Sequence, residues 1–384
     1  MAGFSEAISF ALAAAAIAGT VYQVASALLL RRFVATPPPP SEDWPPVTVL
    51  KPLCGVEPEL EANLRSFCQQ DYPACQIVFG VHDATDAALP LANRLREEFA
   101  GLDIAVVVGR GRPDGGNPKV ANLIDMMPAA RHDVLVVCDS DMRVAPDYLR
   151  SVIATLARPG TGVATCLYVG RADGTLWGRL GAMGINHGFL PSVMVAQAIG
   201  RKDGCFGATI ALRRDTLEKI GGFESLREQL ADDYLLGEAV RATGLSIGLA
   251  PALPQSIVHE PDLATMLAHE VRWGRTLASI DRPGYVASVV TLAVPVALVA
   301  LVVGGGAWPV LVALVVAGIG RMWAVRAEEA SLGLEKQPPW LVLVRDLLSF
   351  AVQAIALAGR TVHWRGRRFR IARHGKLVSL EESS

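Results

Sequence analysis

The middle of the chain alternates short apolar runs with longer stretches in which apolar and polar residues are mixed. Stretches 58–70 and 88–100 place apolar residues at helical spacing, which predicts two amphipathic helices. The apolar runs around them predict buried strands over residues 47–50, 76–81, 104–108 and 134–138. Strands that alternate with helices form a largely parallel sheet covered by helices, so we expect an α/β domain over residues 47–264.

Residues 7–30 carry no charge and are long enough to cross a bilayer. Arg31 and Arg32 follow this segment, whereas Glu6 precedes it. A cleaved signal peptide would carry its positive charge before the apolar run. The pattern therefore predicts an uncleaved anchor over residues 1–32 with its C-terminal end in the cytoplasm, followed by a stiff proline-rich linker over residues 33–46.

Residues 285–320 form a second uncharged segment, too long for one ordinary membrane helix and slightly short for two. Three consecutive glycines at 304–306 and Pro309 lie in its middle. We interpret the segment as two short membrane helices joined by a tight turn, with one long helix or a re-entrant hairpin as alternatives.

A third apolar segment, residues 340–359, contains Arg345 and Asp346. Charges inside such a segment indicate contacts with protein or an interfacial position instead of lipid exposure. The basic tail over residues 360–384 is expected to stay in the cytoplasm. Because an anchor and two spans already leave the chain inside, we favour a re-entrant or interfacial segment at 340–359 over a third spanning helix.

Composition adds three points. Hydrophobic residues make up 51% of the chain, which is rare in a soluble enzyme. The formal net charge of -1 gives no reason to expect a nucleic-acid partner. The six cysteines show no C-x-x-C pair, which favours reduced thiols over a disulfide or zinc framework.

Polar or glycine-rich loops follow all four predicted strands, at the edge where parallel sheets bind ligands. The loops read KPLCGVEPE, HDATD, GRGRPDGGNPK and DSD. The third lacks both the G-x-G-x-x-G pattern and a Walker lysine-serine pair, so a dinucleotide or P-loop site is not expected. We predict instead that this loop leads into a helix that begins near Pro118.

Asp139 and Asp141 flank one serine at the end of the run 134–138. A lone D-x-D is usually a loop or a helix cap, so its meaning depends on the other loops. Two carboxylates this close repel each other unless a cation lies between them. Few hard oxygen ligands suit Mg²⁺ or Mn²⁺, which would neutralise charge on a departing diphosphate. The four loops together predict a metal site for a nucleotide-sugar.

Two further groups lie downstream. Asp232 and Asp233 precede an amphipathic helix, either as an N-cap with a second acidic residue or as a general base. His269 and Arg272 share one helical face beside Trp273, within a predicted interfacial helix over residues 265–284. That group has a structural alternative, an amphipathic helix with snorkelling arginines.

The motifs VLKPLCGVEPELEANLRSFCQQDYP, VHDATD, NPKVANL, CDSDMRV, ADDYLLGEAV and HEVRW occur in this order, and the tail contains WRGRRFRI. As a set, they resemble the metal-dependent, family 2-like glycosyltransferases of the GT-A fold, in particular the ceramide glucosyltransferase branch. The resemblance covers nearly the whole chain. Within that branch the sequence looks most similar to bacterial hopanoid-biosynthesis-associated glycosyltransferases.

On the donor side, the resemblance implies that Asp83 contacts the uracil or ribose of a UDP-sugar. Lys119 would lie near the same pocket, and Asp139 and Asp141 would serve the metal and the diphosphate. The nucleoside side would be lined by Pro52, Gly55 and Glu57.

On the acceptor side, the resemblance implies that Asp233 is the catalytic base, with Asp232 and His269 among the substrate-binding residues. Arg272 and Trp273 match the end of the family's Q/R-x-x-R-W motif, which helps to hold the diphosphate and the acceptor. His187 matches a histidine placed near the nucleotide-sugar. Its alternative is a polar residue that bonds locally.

The chain departs from the ceramide enzymes at two positions. It has Asp141 where they commonly read D-S-G, and His269 where they have Gln or Arg. Both differences favour the hopanoid branch. The implied reaction is an inverting, metal-dependent transfer of N-acetylglucosamine from UDP-GlcNAc to the terminal hydroxyl of a bacteriohopanepolyol, at the cytoplasmic face of a bacterial inner membrane.

Three alternatives stay open. The first is a ceramide glucosyltransferase that uses UDP-glucose. The second is a processive polysaccharide synthase, which would need a longer membrane bundle. The third is a non-catalytic, membrane-anchored binding protein, in which Asp83, Asp139, Asp141 and Asp233 would have no reason to persist together.

Overall fold

The computed structural model describes residues 2–111, 116–359, 361–364, 367–371 and 377–379. The helices are α1 Ala2–Val34, α2 Leu60–Cys68, α3 Leu89–Glu98, α4 Pro118–Met126, α5 Tyr148–Leu156, α6 Leu176–Gly184, α7 Leu190–Ala198, α8 Arg214–Lys219, α9 Asp232–Ala242, α10 Leu263–Ile280, α11 Arg282–Ala287, α12 Ala293–Gly304, α13 Trp308–Leu332 and α14 Pro339–Leu357. The strands are β1 Val47–Pro52, β2 Cys75–Val81, β3 Asp103–Val108, β4 Val134–Cys138, β5 Met142–Arg143, β6 Thr161–Cys166, β7 Val169–Ala172, β8 Thr209–Arg213, β9 Ser246–Ala250, β10 Gln255–Val258, β11 Thr361–Trp364, β12 Arg367–Ile371 and β13 Leu377–Ser379.

The chain divides into two compact units. The first, here called the α/β unit, comprises residues 36–173 and 201–259. The second, the helical unit, comprises residues 1–35, 174–200 and 260–384. Residues 174–200, which the sequence pattern assigned to the α/β domain, thus belong to the helical unit. Conversely, the proline-rich segment from residue 36 packs with the α/β unit, where the Tyr72 hydroxyl donates to the Pro45 carbonyl at 2.7 Å.

A seven-stranded sheet in the order β3-β2-β1-β4-β8-β6-β9 forms the centre of the α/β unit. The four strands expected from the sequence are confirmed, and they pair in parallel. The expectation of a largely parallel sheet thus holds for β1 to β4. In contrast, β8 runs antiparallel to both β4 and β6. An apolar run carries no signal of strand direction, so the pattern could not foresee this reversal.

Side chains on both faces of this sheet are buried. Along β1, Val47 and Val49 enter one core cluster, which α2, α3 and α5 cover, while Leu50 enters the other, which α4 and α9 cover. This burial on two faces explains why the strands are continuously apolar instead of alternating. A second, three-stranded sheet in the order β5-β10-β7 lies in the same unit.

In the helical unit, α1 is one uninterrupted helix that continues past Arg31 and Arg32. The predicted break in segment 285–320 is present, because α12 ends at Gly304 and Gly305 takes the left-handed conformation with φ 62°. The second helix is longer than expected and ends at Leu332 instead of near residue 320. Its additional turns carry charged residues that are buried, among them Arg321 and Glu328, so the uncharged stretch underestimated its length.

Three described helices are long and apolar enough to cross a membrane, namely Phe4–Val34, Trp308–Leu332 and Pro339–Leu357. A bent pair, Arg282–Thr291 and Ala293–Gly304 at 78°, would make a fourth. The charges of α14 do contact protein: Arg345 donates to Glu270 at 2.5 and 2.7 Å, and Asp346 accepts from Arg321. The described parts of the basic tail form a small antiparallel sheet, β11-β12-β13, and its remainder lies outside the described residues.

No disulfide bond joins any two of the six cysteines, all of which lie among the described residues.

Candidate active site

The D-S-D segment begins where β4 ends, beside the end of β1 in the sheet. Lys51 of β1 is fully buried beneath it and donates to the main-chain carbonyl of Asp139. Its ammonium also lies 3.9 Å from the centre of the Phe67 ring, a cation–π contact. Burial lowers the pKa of Lys51, against the opposing effect of nearby acidic groups. Lys51 therefore fixes the turn that presents the two aspartates.

Lys119 approaches the same turn from the first turn of α4. Its Nζ lies 2.5 Å from Oδ1 of Asp139. The helix begins at Pro118, as predicted, and Asn117 caps it by accepting from the main-chain nitrogens of Lys119 and Val120. Proline at the first helical position after an asparagine cap is a strong start signal, so this local sequence fixes where Lys119 lies.

Asp141 has a different environment. The hydroxyl of Ser256, on β10, donates to its Oδ2 at 2.8 Å. Burial, with the charge of Asp139 adding to it, raises the pKa of Asp141 to about 7. Next to it, Ser140 donates to Oε2 of Glu57 at 2.8 Å, which brings a third carboxylate of the predicted set to this edge of the sheet. Because the pKa of Asp141 is raised, a cation or a further hydrogen-bond donor that reaches its carboxylate would favour the anionic form.

Asp232 and Asp233 form the first turn of α9, whose N-cap is Ala231. Neither aspartate is thus the N-cap, but both lie in the first turn, where an acidic side chain interacts favourably with the helix dipole. Oδ2 of Asp233 accepts from the main-chain nitrogen of Gly207 at 2.9 Å. Burial raises the pKa of both carboxyl groups, that of Asp232 to about 6, while the charge of Lys119 works in the opposite direction. A raised pKa suits a group that must take up a proton near neutral pH.

Asn117 links the two halves of this arrangement, because its side chain also donates to Oδ1 of Asp232 at 3.1 Å. Lys119 consequently stands among several carboxylates. Burial alone would lower its pKa, but the charges of Asp139 and Asp232 outweigh burial and raise it. The site is thus an acidic cluster with Lys119 among the carboxylates and Lys51 beneath them. Sequence reasoning did not identify Asn117, Lys51 or Ser256 as parts of it.

The loops after β1 and β2 meet on the predicted nucleoside side. Gly55 follows Pro52, the last residue of β1, and has a positive φ of 69°. Its main-chain nitrogen donates to Asp86 at 2.9 Å. Asp83 accepts from the main-chain nitrogen of Thr85 at 2.8 Å, so its loop is ordered by a local turn.

The remaining predicted residues lie in the helical unit. His187 is buried, and its Nδ1 lies 2.8 Å from Oε2 of Glu328, far along the chain, so its partner is not a local one. His269 pairs with Glu260 in the same way at 2.8 Å. Arg272 stands over the ring of Trp273, with 5.9 Å between guanidinium carbon and ring centre. All of these belong to the unit that holds the apolar helices.

Among the described residues, no three His, Cys, Asp or Glu side chains converge closely enough to hold a metal ion by themselves. Asp139 and Asp141 supply two carboxylates with hard oxygen donors. Mg²⁺ is commonly held by one or two carboxylates and completes its shell with water and substrate phosphates. The donor set therefore fits a cation that binds together with a diphosphate.

The fold agrees with that of known sugar transferases. A mannosyltransferase from Pyrobaculum calidifontis, solved in complex with GDP-Man and Mn²⁺, superposes with a TM-score of 0.54 at 21% identity over 90% of this chain and 97% of its own. The mixed sheet flanked by helices is thus the GT-A fold, with apolar helices at both ends of the chain that could span a membrane.

Residues 11–377 match the sequence model of glycosyl transferase family 21, and the chain belongs to that family. The expectation of a glycosyltransferase is confirmed at this level. Ceramide glucosyltransferase 1 of Caenorhabditis elegans is 26% identical over 56% of this chain and 47% of its own length. The ceramide glucosyltransferase of Komagataella phaffii is 33% identical over 32% and 24%. The chain thus aligns with about half of the first relative's length and about a quarter of the second's.

Proposed function

We propose that this protein transfers a sugar from a nucleotide diphosphate sugar to a hydroxyl group of a membrane lipid. The observation that carries the proposal is the pair Asp139 and Asp141 at the end of β4, presented by buried Lys51 and faced by Lys119. A cluster of carboxylates around one cation is suited to a metal-bound diphosphate. The apolar helices of the same chain supply a reason for a lipid acceptor.

On the donor side, Asp139 and Asp141 would hold Mg²⁺ or Mn²⁺ against the two phosphates. When bound, the metal ion would offset the negative charge that develops on the departing nucleoside diphosphate. Lys119 carries a positive charge at the same place and would add to that stabilisation. Asp83, Gly55, Pro52 and Glu57 would form the nucleoside side.

On the acceptor side, Asp233 would act as general base. The hydroxyl proton passes to the Asp233 carboxylate while the hydroxyl oxygen bonds to the anomeric carbon. The bond from that carbon to the diphosphate breaks in the same step, and the electron pair leaves with the diphosphate. A single displacement of this kind inverts the anomeric configuration. Asp232, His187, His269, Arg272 and Trp273 are proposed to bind substrate.

The comparisons bear on the acceptor. The named relatives are ceramide glucosyltransferases, which supports ceramide and UDP-glucose over the hopanoid polyol favoured from sequence. We therefore place ceramide first. A hopanoid polyol with UDP-GlcNAc is the second candidate, because the chain has Asp141, held by Ser256, where the ceramide enzymes commonly have glycine. In either case, the α/β unit is proposed to face the cytoplasm of a bacterial inner membrane.

The test uses the purified full chain in detergent with Mn²⁺, offering each sugar nucleotide with each lipid. UDP release and the mass of the lipid product are measured together. Glucosylceramide from UDP-glucose would support the first candidate, and a sugar on bacteriohopanetetrol the second. Release of a long polysaccharide would favour a processive synthase. Absence of any transfer, with intact nucleotide binding, would leave only a binding protein.

A further inference from the structure

A polar cavity of about 60 Å³ lies inside the helical unit. Its lining includes Tyr22, Gln23, Ser26, His187, Arg321 and Glu328. These residues come from α1, from the π-helical turn Ile185–Phe189 and from α13. Since one water molecule takes up about 30 Å³ in the liquid, the space fits about two water-sized polar groups.

The charges around this cavity are buried and paired, and Arg321, Glu328 and Asp346 lie on helices apolar enough to span a membrane. His187 and Glu328 form a pair in which each side chain is 1% exposed. Arg321 pairs with Asp346 at 2.8 Å. Ionisable groups inside membrane segments are costly and usually mark a substrate path or binding site.

One wall of the cavity has an unsatisfied acceptor. Nε2 of Gln23 donates to the carbonyl of Thr291 at 2.8 Å, which fixes the orientation of the amide. Oε1 of the same side chain is buried and has no hydrogen-bond partner among the described residues. Gln23 as a whole is only 6% exposed. A ligand that brings an O–H or N–H donor would complete this group.

Gly188, in the π-helical turn that carries His187, lines the cavity and is exposed. Apart from its chain neighbours and the nearby helix backbone, no atom of the described residues lies within 4 Å of the position that a Cβ at Gly188 would take. Single π-helical turns inside α-helices are frequent at functional sites. The turn thus leaves space beside a cavity that is also lined by Gln23, whose Oε1 lacks a donor.

We propose that this cavity binds hydroxyl groups at the polar end of the lipid acceptor. Hydroxyls match the site because an uncharged O–H group can donate to Oε1 of Gln23. An anionic phospholipid head does not match, since Arg321 is already neutralised by Asp346 and His187 faces Glu328. The proposal rests on the proposed function, and it places acceptor recognition in the helical unit.

The experiment compares Gln23→Leu, which removes the acceptor oxygen, and Gly188→Leu, which fills the space beside the cavity. Thr20→Val is the control for the first, because Thr20 is buried on the same helix and its hydroxyl donates to the Ala16 carbonyl of that helix at 2.8 Å. Gly318→Leu is the control for the second, because a Cβ there also has open space among the described residues.

Two readouts are taken on the full chain in detergent. One is the shift in Tm on adding N-hexanoyl-sphingosine or bacteriohopanetetrol, each beside its O-methylated derivative and beside phosphatidate. The other is the KM for whichever lipid is glycosylated, beside the KM for the sugar nucleotide.

We expect the hydroxylated lipid alone to raise the Tm of the native chain and of both controls. In Gln23→Leu and Gly188→Leu, the lipid-induced Tm shift should vanish. The KM for the lipid should rise about tenfold, which corresponds to about 1.4 kcal/mol, while the KM for the sugar nucleotide stays unchanged. If native transfer occurs but both variants keep the native lipid KM and Tm shift, the cavity assignment is overturned and the function stands. An equal shift with phosphatidate also overturns it. A variant-sensitive shift without transfer supports the cavity and overturns the function.

Discussion

Nζ of Lys119 lies 2.5 Å from Oδ1 of Asp139, one of the two carboxylates proposed to hold a metal ion. The protein therefore supplies its own counter-charge at the place where a divalent cation is expected. A metal ion that binds there must share Asp139 with Lys119 or displace the ammonium. Metal affinity and the position of Lys119 are consequently coupled.

Replacement of Lys119 by methionine should strengthen Mn²⁺ binding in the absence of nucleotide, because no internal cation then competes for Asp139. The affinity can be measured by titration of the free Mn²⁺ signal in electron paramagnetic resonance. Lys219→Met is the matched control, since Lys219 pairs with Asp215 on the surface. Unchanged or weaker Mn²⁺ binding in Lys119→Met would mean that Lys119 does not compete with the metal.

Asp233→Asn should keep sugar-nucleotide binding and lose turnover by at least about 10²-fold, the lower end of the range for general-base catalysis. The amide oxygen can still accept from Gly207, so the local fold has its hydrogen bond. Asp215→Asn serves as the control. Near-native kcat in Asp233→Asn would move the role of base elsewhere, with Asp232 the first candidate.

Stability should depend on pH through Asp232. Burial raises its pKa to about 6 in the folded chain, above the value near 3.9 of an unfolded carboxyl group. The folded state thus holds this proton more tightly, and the resulting stability is lost as the pH rises through about 6. Asn cannot titrate, so the Tm of Asp232→Asn minus that of the native chain should increase from pH 5 to pH 7.5.

Between pH 5 and pH 7.5 the effect is about 1.4 kcal/mol, since about one unit of the pKa shift falls in this range and one pKa unit corresponds to about 1.4 kcal/mol. Differential scanning fluorimetry at the two pH values measures it. Asp215→Asn is again the control, because the hydrogen bond from Lys219 lowers the pKa of Asp215. A Tm difference that shrinks toward pH 7.5 would show that Asp232 is stabilised as an anion.

Membrane topology is testable at the helix ends. With the anchor oriented by Arg31 and Arg32, the turn before α13 should face outward and the connection after it inward. A cysteine at exposed Trp308 should react with a membrane-impermeant thiol reagent in intact cells, whereas one at exposed Glu335 should not. The six native cysteines are replaced beforehand, because their thiols would also react with the reagent. Reaction at position 335 would reverse the proposed orientation.

The same assay addresses α14. A cysteine at Ser384, which lies outside the described residues, should stay protected if the 340–359 segment does not cross the membrane. The segment is nevertheless one continuous helix, long and apolar enough to span. Reaction at position 384, with protection at 335, would show that α14 spans.

The strands of the α/β unit could be predicted because burial on two faces leaves a continuous apolar run. Strand ends could be predicted as well, and Asp139 and Asp141 lie where the sequence placed them. The antiparallel direction of β8 could not be predicted, since the direction of a strand depends on the path that the chain takes between strands. The assignment of residues 174–200 failed for a related reason, because an apolar helix looks the same beside a sheet and in a helical bundle.

Contacts that are distant in sequence account for the parts of the site that were missed. Ser256 reaches Asp141 from 115 residues away, and no local pattern marks it. Lys51 could have been noticed, because it is the one charged residue of β1 and directly follows the apolar run 47–50. Its meaning became clear only with the sheet order, which places β1 beside β4.

The path of the chain has a practical consequence. It passes between the two units at residues 35–36, 173–174, 200–201 and 259–260. Trimming both termini for expression would therefore retain the apolar insertion 174–200, a poor candidate for a water-soluble fragment. A water-soluble fragment would require removal of residues 174–200, with a hydrophilic linker that joins Asp173 to Arg201. Such a fragment would separate the proposed nucleotide binding from the proposed lipid binding.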